Sequence, residues 1–140
     1  MTSRSQFRGL KNVENIGYRS YHTANLESQI ANASPIQLVL VLTDGLLDEI
    51  ARARAHIVAR RIEAKGASIG RCIELLNGLA SSLDMTAGSE VVTNLAALYD
   101  YCVRRLNVAG IELNVEPLDE AAHLIRVLRE GWQGAQDGGL

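Results

Sequence analysis

A chain of 140 residues with 47% apolar side chains has the size of one domain and enough apolar surface for one packed core. Its 14 basic and 16 acidic side chains leave a formal charge of -2, so the overall basic field that nucleic-acid binding draws on is missing and nucleic acid is not an expected partner. Two cysteines, Cys72 and Cys102, stand far apart without a CxxC or Cys/His spacing, which argues against zinc and disulfide scaffolds and for two small core residues in a reducing compartment.

Residues 1–17 scatter Phe7, Leu10, Val13 and Ile16 among polar side chains with no sustained period, so a mobile arm is expected there. Arg4, Arg8, Lys11 and Arg19 are not followed by an apolar stretch that could form a signal-peptide core. The longest apolar run, 38–42, is far short of the ~20 residues that span a bilayer. A soluble cytoplasmic protein without membrane insertion is the expectation.

A short helix is expected over 21–32, followed by four main ones. Ser34, Pro35 and Gln37 give a strong start: an N-cap hydroxyl, a proline at the first helical position and a glutamine placed for a capping box. Gly66 is the expected stop of this first helix. The run 36–42 followed by Asp44 and Gly45 also fits a buried strand and turn. However, Leu46, Leu47, Ile50, Ala53, Ile57 and Val58 fall on one helical face, opposite Asp44, Asp48, Arg52, His56 and Arg60, and no further strands follow. A second helix is predicted over 68–83, a third over 89–109 and a fourth over 117–132.

The second groups Ile69, Cys72, Ile73, Leu75, Leu76, Leu79 and Leu83. On the third the apolar face is Val91, Val92, Leu95, Leu98, Tyr99, Cys102, Val103 and Leu106. On the fourth it is Leu118, Ala121, Leu124, Ile125, Leu128 and Trp132. Amphipathic helices with short links predict an all-α fold, an antiparallel four-helix bundle with an additional short N-terminal helix or arm. The domain is expected to span 18–132, with a glycine-rich flexible tail at 133–140.

The first helix departs from a plain bundle pattern, because residues 38–42 are apolar around the whole circumference. The wheel sets Leu38, Val41 and Leu42 above the face that later carries Asp48, Arg52 and Arg60. Something beyond the four helices is expected to cover them: the N-terminal arm, a second copy, or an amphipathic client helix in a groove. Catalytic readings fare worse. Glu120 and His123 form one Glu-x-x-His pair, whereas a di-iron bundle uses two plus further glutamates, and both point away from the apolar face. His22 and His56 have no nucleophile or Asp at a telling spacing, and no phosphate-cradling glycine loop is present. No catalytic residue and no metal site is assigned.

Specific residues carry more than the pattern. Tyr18-x-x-Tyr21, Ser34-Pro35-x-x-Leu38, Leu42-x-Asp44-Gly45 and Ala53 are followed by Leu83-Asp84, Gly88-Ser89-Glu90 and Asn94-Leu95. Then come Leu98-Tyr99-Asp100-Tyr101, Arg105-Leu106 and Leu128-Arg129-x-x-Trp132. In this order and spacing, over 18–132, the chain resembles the flagellin export chaperones of the FliS family. Thr43 stands where that family commonly has tyrosine. The resemblance implies a non-enzymatic helical bundle, without nucleotide or other cofactor, that binds the disordered C-terminal segment of flagellin in the cytosol. It implies a block on premature polymerisation and help in presenting the client to the flagellar export gate, and it leaves homodimer formation open. It also implies that Tyr18 and Tyr21 act as a displaceable cover of the client surface. With the wheel, the expected client-binding residues are Tyr18, Tyr21, Ile36, Leu38, Val41, Leu42 and Tyr101. The alternatives are a chaperone for another flagellar or type III-secreted protein and a metal-binding bundle enzyme.

Overall fold

The computed structural model describes residues 34–83 and 89–138. The expected arm, the short helix over 21–32 and both Tyr18 and Tyr21 lie outside them. The described residues form four helices: α1 Pro35–Val58, α2 Ile62–Ser81, α3 Glu90–Glu112 and α4 Glu116–Asp137. Among these residues there is no strand, so the strand alternative for 36–42 fails and the all-α bundle holds.

α1 starts as the sequence predicts. The Gln37 amide donates to Ser34 Oγ at 3.2 Å, and the Ser34 amide donates back to Gln37 Oε1 at 2.9 Å. Pro35 at N1 has no amide hydrogen, so two of the three amide groups left without a helical partner at this start are thereby satisfied. Its end corrects the sequence reading, since α1 stops at Val58 and Gly66 lies inside α2. The stop is made by Arg60, whose φ of 60° is left-handed, while the Arg61 amide reaches the His56 carbonyl at 2.9 Å. This six-to-one bond is the Schellman closure usually built on glycine. A stop was visible in the apolar stripe, because the positions after Ile57 at helical spacing are Arg60 and Arg61.

α3 ends by the same device. Leu113 has a φ of 52° and the Asn114 amide donates to the Ala109 carbonyl at 3.1 Å. One orphan carbonyl of the last turn, that of Gly110, accepts Lys65 Nζ at 2.9 Å, a cation placed at the negative end of the helix dipole.

The helices form a ring in chain order. α1 packs on α2 and α4, and α3 packs on the same two. Arg54 of α1 pairs with Asp119 of α4, while Asp44 pairs with Arg129; moving up one helix moves down the other, so the two are antiparallel. Leu46, Leu76, Leu79, Leu106, Leu118 and Ile125 fill the centre with essentially no exposure.

Two further expectations are corrected. α4 does not end near Trp132 but runs to Asp137, so 133–137 belong to a helix rather than to the predicted tail. Gly131 and Gly134 are exposed there, and each costs about 1 kcal/mol of helix propensity. The turn is held by Gln133 Nε2, which donates to Asp137 Oδ1 at 3.0 Å. Leu42, which the wheel set beyond the core stripe, is 6% exposed and belongs to the core cluster.

Candidate functional site

Of the Glu-x-x-His pair, His123 is exposed, while Glu120 accepts the Tyr101 hydroxyl at 2.9 Å and Arg105 Nε at 2.6 Å. No group of three or more His, Cys, Asp or Glu side chains that could hold a metal occurs among the described residues. None of the described helices is long and apolar enough to cross a membrane.

The Tyr101 hydrogen bond, joined by the Arg105 bond and charge, holds the Glu120 carboxyl below its ordinary range. A depressed folded-state value adds stability that is present above the ordinary carboxylate range and lost as pH falls through the depressed value. Glu120 is largely solvated, so the effect on stability is small. The expected result is that the Glu120 side-chain carbon titrates by NMR below free glutamate, and that Tyr101→Phe moves it back up. An unchanged midpoint would show that the hydroxyl is not bound there in solution.

Both cysteines are free and buried, Cys72 on α2 and Cys102 on α3. Burial pushes the Cys102 thiol up to about 11 and the Cys72 thiol further. Neither forms the thiolate needed for reaction near neutral pH. Iodoacetamide at pH 8 is expected to label them only in step with loss of the helical CD signal; rapid labelling of the folded protein would contradict the packing.

What the structure does offer is an apolar surface at one end of the bundle, where α1 and α3 begin and α2 and α4 finish. The predicted inward stripe of α3 divides in two. Tyr99, Cys102 and Leu106 are buried, but Val92, Leu95 and Leu98 are only partly covered and Val91 is 65% exposed. Leu95 and Leu98 pack against the core while remaining open to solvent. On the adjacent α4, Leu124, Leu128 and Trp132 are in the same half-buried state, with the indole N–H of Trp132 turned inward toward Tyr99.

The seam between α3 and α4 is pinned below this surface by Tyr101, Arg105 and Glu120. Sequence reasoning missed the surface because periodicity gives the direction in which a side chain points. How much packs over it depends on where the neighbouring helices stand.

The predicted client residues are spread over two faces. On α1, Ile36, Leu38 and Val41 are half-buried. Leu38 packs against the core cluster, whereas Val41 lies outside it and Leu42 within it. Leu40, also on this turn, is buried apart from that cluster. Tyr101 is half-buried at the α3–α4 seam. Thr43 is 1% exposed, and its hydroxyl donates to the Val39 carbonyl at 2.6 Å. This i-4 bond satisfies the only polar group that the substitution brings to the position.

A buried polar cluster was also missed. Glu49 is 6% exposed and binds Arg52 at 2.9 Å and Arg71 of α2 at 3.0 Å, while Arg71 also donates to the buried Ser68 hydroxyl at 3.2 Å. Its place on the wheel, at the edge of the apolar stripe toward α2, was the available signal.

Comparison with known proteins adds the family. The model of the flagellar protein FliS matches residues 17–138. The chain is 35% identical over 118 residues to the flagellar secretion chaperone FliS of Salmonella typhimurium, covering 84% of this chain and 87% of the relative. It is 34% identical over 116 residues to the flagellar secretion chaperone FliSB of Pseudomonas aeruginosa, covering 83% and 92%. To the FliS of Bacillus subtilis it is 27% identical over 114 residues, covering 81% and 84%. With a match over nearly all of the four-helix bundle, the chain belongs to the FliS family of flagellar proteins.

Proposed function

We propose that this protein is a non-enzymatic export chaperone of the bacterial cytosol that binds the disordered C-terminal segment of flagellin, prevents its premature polymerisation and helps deliver it to the flagellar export gate. The observation that carries this reading is the apolar stripe of α3 left part-open at Val91, Leu95 and Leu98 beside Leu124, Leu128 and Trp132 of α4. A folded monomer gains nothing from such exposure, whereas a client that orders on binding can bury it, and affinity is then set by contact area against ordering entropy without ATP. The relatives named above are secretion chaperones. Ile36, Leu38 and Val41 of α1 and Tyr101 of α3 extend the client surface in this reading, with Leu42 supporting it from the core. Tyr18 and Tyr21 act as the displaceable cover. Nucleic acid, metal and nucleotide have no part in it.

The test is binding of a flagellin C-terminal peptide, by fluorescence anisotropy, to wild type, Val41→Asp and Val91→Asp. Binding is expected well below tens of micromolar, the level of roughly -6 kcal/mol. The two variants should bind at least about tenfold more weakly, because each puts an unpaired carboxylate into the complex. Their melting temperatures should stay close to wild type, since neither side chain belongs to the core cluster. No binding by wild type at tens of micromolar would reject flagellin as client. Capture of a different flagellar or secreted protein from a motile source cell would then identify the true one.

A further inference from the structure

The part-open apolar surface lies in a half of the molecule whose charge is not that of the whole. Dividing each helix at its midpoint, the end that holds this surface carries six carboxylates, Asp44, Glu74, Glu90, Asp100, Glu130 and Asp137, and one cation, Arg129. The described residues of that half sum to -5 and those of the other half to +2. Arg71 and Arg126 lie nearest the divide; counted with this end they bring it to -3 and leave the other half neutral, so the excess of negative charge stays at the same end. Arg129 is occupied by Asp44 at 2.5 Å, and Asp100 is paired with Arg104. Glu74, Glu90 and Glu130 are exposed and have no ion-pair partner among the described residues.

We infer that the segment seated on the open α3–α4 surface is amphipathic and basic, with Lys or Arg side chains flanking its apolar ones, and that the acidic end steers it in. This rests on the client reading above and adds to it the chemistry of the partner. An apolar groove alone accepts any amphipathic helix of suitable size. A surrounding field of one sign discriminates among such helices and speeds encounter with the matching one, while like charges repel. Because the three free glutamates are solvent-exposed, the discrimination depends on ionic strength, as the Debye length shrinks from about 30 Å at 0.01 M salt to about 3 Å at 1 M. The direction is set by this chain alone: behind the overall charge of -2, the negative charge of the described residues is concentrated at one end.

The experiment uses the full chain and two synthetic amphipathic peptides with one apolar pattern, one with lysines and one with glutamates on the polar face, alongside the flagellin C-terminal peptide. Affinities are measured at 0.01 M and 1 M salt for wild type and for the triple variant Glu74→Gln, Glu90→Gln, Glu130→Gln. The lysine peptide is expected to bind wild type at least about tenfold more tightly than the glutamate peptide at low salt. That preference should fall to within about twofold at 1 M salt, and in the triple variant at low salt it should shrink several-fold. Equal binding of the two peptides, or a preference that salt and the triple variant leave unchanged, overturns the inference. If the flagellin peptide binds under those same conditions, the chaperone reading stands without it. Failure of the flagellin peptide beside a salt-sensitive lysine preference supports the inference and rejects the flagellin client. A stable dimer by sedimentation that neither peptide dissociates overturns it in favour of a second copy as the occupant.

Discussion

Leu106→Ala on α3 is expected to lower the unfolding free energy by about 3 to 4 kcal/mol, and Leu95→Ala on the same helix by only about 1 kcal/mol. Leu106 has no exposure and sits among the fully buried side chains of the bundle centre. Truncating it removes the transfer free energy of the lost carbons and leaves a cavity that the packed core around it cannot fully close. Leu95 points along the same inward stripe, yet it is partly open to solvent, so its methyl groups are already partly hydrated and the site can collapse. Urea unfolding followed by CD gives both numbers. Equal losses would mean that the first half of α3 is closed into the core, and the binding surface proposed from its exposure would have to be given up. A small loss at Leu95 combined with weakened client binding is the expected pattern.

The second large effect concerns the buried carboxylate. Arg71→Met is expected to cost about 3 kcal/mol, because it leaves Glu49 nearly buried with only Arg52, whose side chain is 50% exposed, as a partner. Replacing Glu49 and Arg71 together by Leu and Met is expected to recover most of that loss. The ion pair as a whole is worth little against well-packed apolar groups, although either half alone is costly. Melting temperatures of wild type, both single variants and the double variant form a cycle that isolates the coupling. A double variant as unstable as the sum of the two singles would show that Glu49 and Arg71 act independently, contrary to the 3.0 Å contact.

Together, these expectations separate what holds the bundle from what the bundle presents. The centre is filled by leucines and isoleucines at helical spacing, with two buried cysteines among them. The periphery at one end keeps apolar side chains in partial contact with water, and that end also carries most of the unbalanced negative charge. Stability and binding are therefore assigned to different residues of the same α3 stripe.

Local rules were enough for much of this. The capping box at Ser34 and Gln37, the four amphipathic stripes and the all-α class follow from hydrogen-bonding groups and spacings within a few residues of one another, which is the range over which sequence acts directly. The order of short motifs from Tyr18 to Trp132 carried the family. The packed structure decided the rest. It placed the α1–α2 turn at Arg60 rather than Gly66, because the stripe gives way to Arg60 and Arg61 after Val58 and a Schellman closure holds an arginine in a left-handed conformation. It carried α4 past Gly131 and Gly134 to Asp137, where the hydrogen bonds of a helix already formed outweigh two weak propensities. It drew Leu42 into the core and left Leu95 half outside, since a wheel fixes only the direction of a side chain, and burial depends on the distance to helices that are remote in sequence.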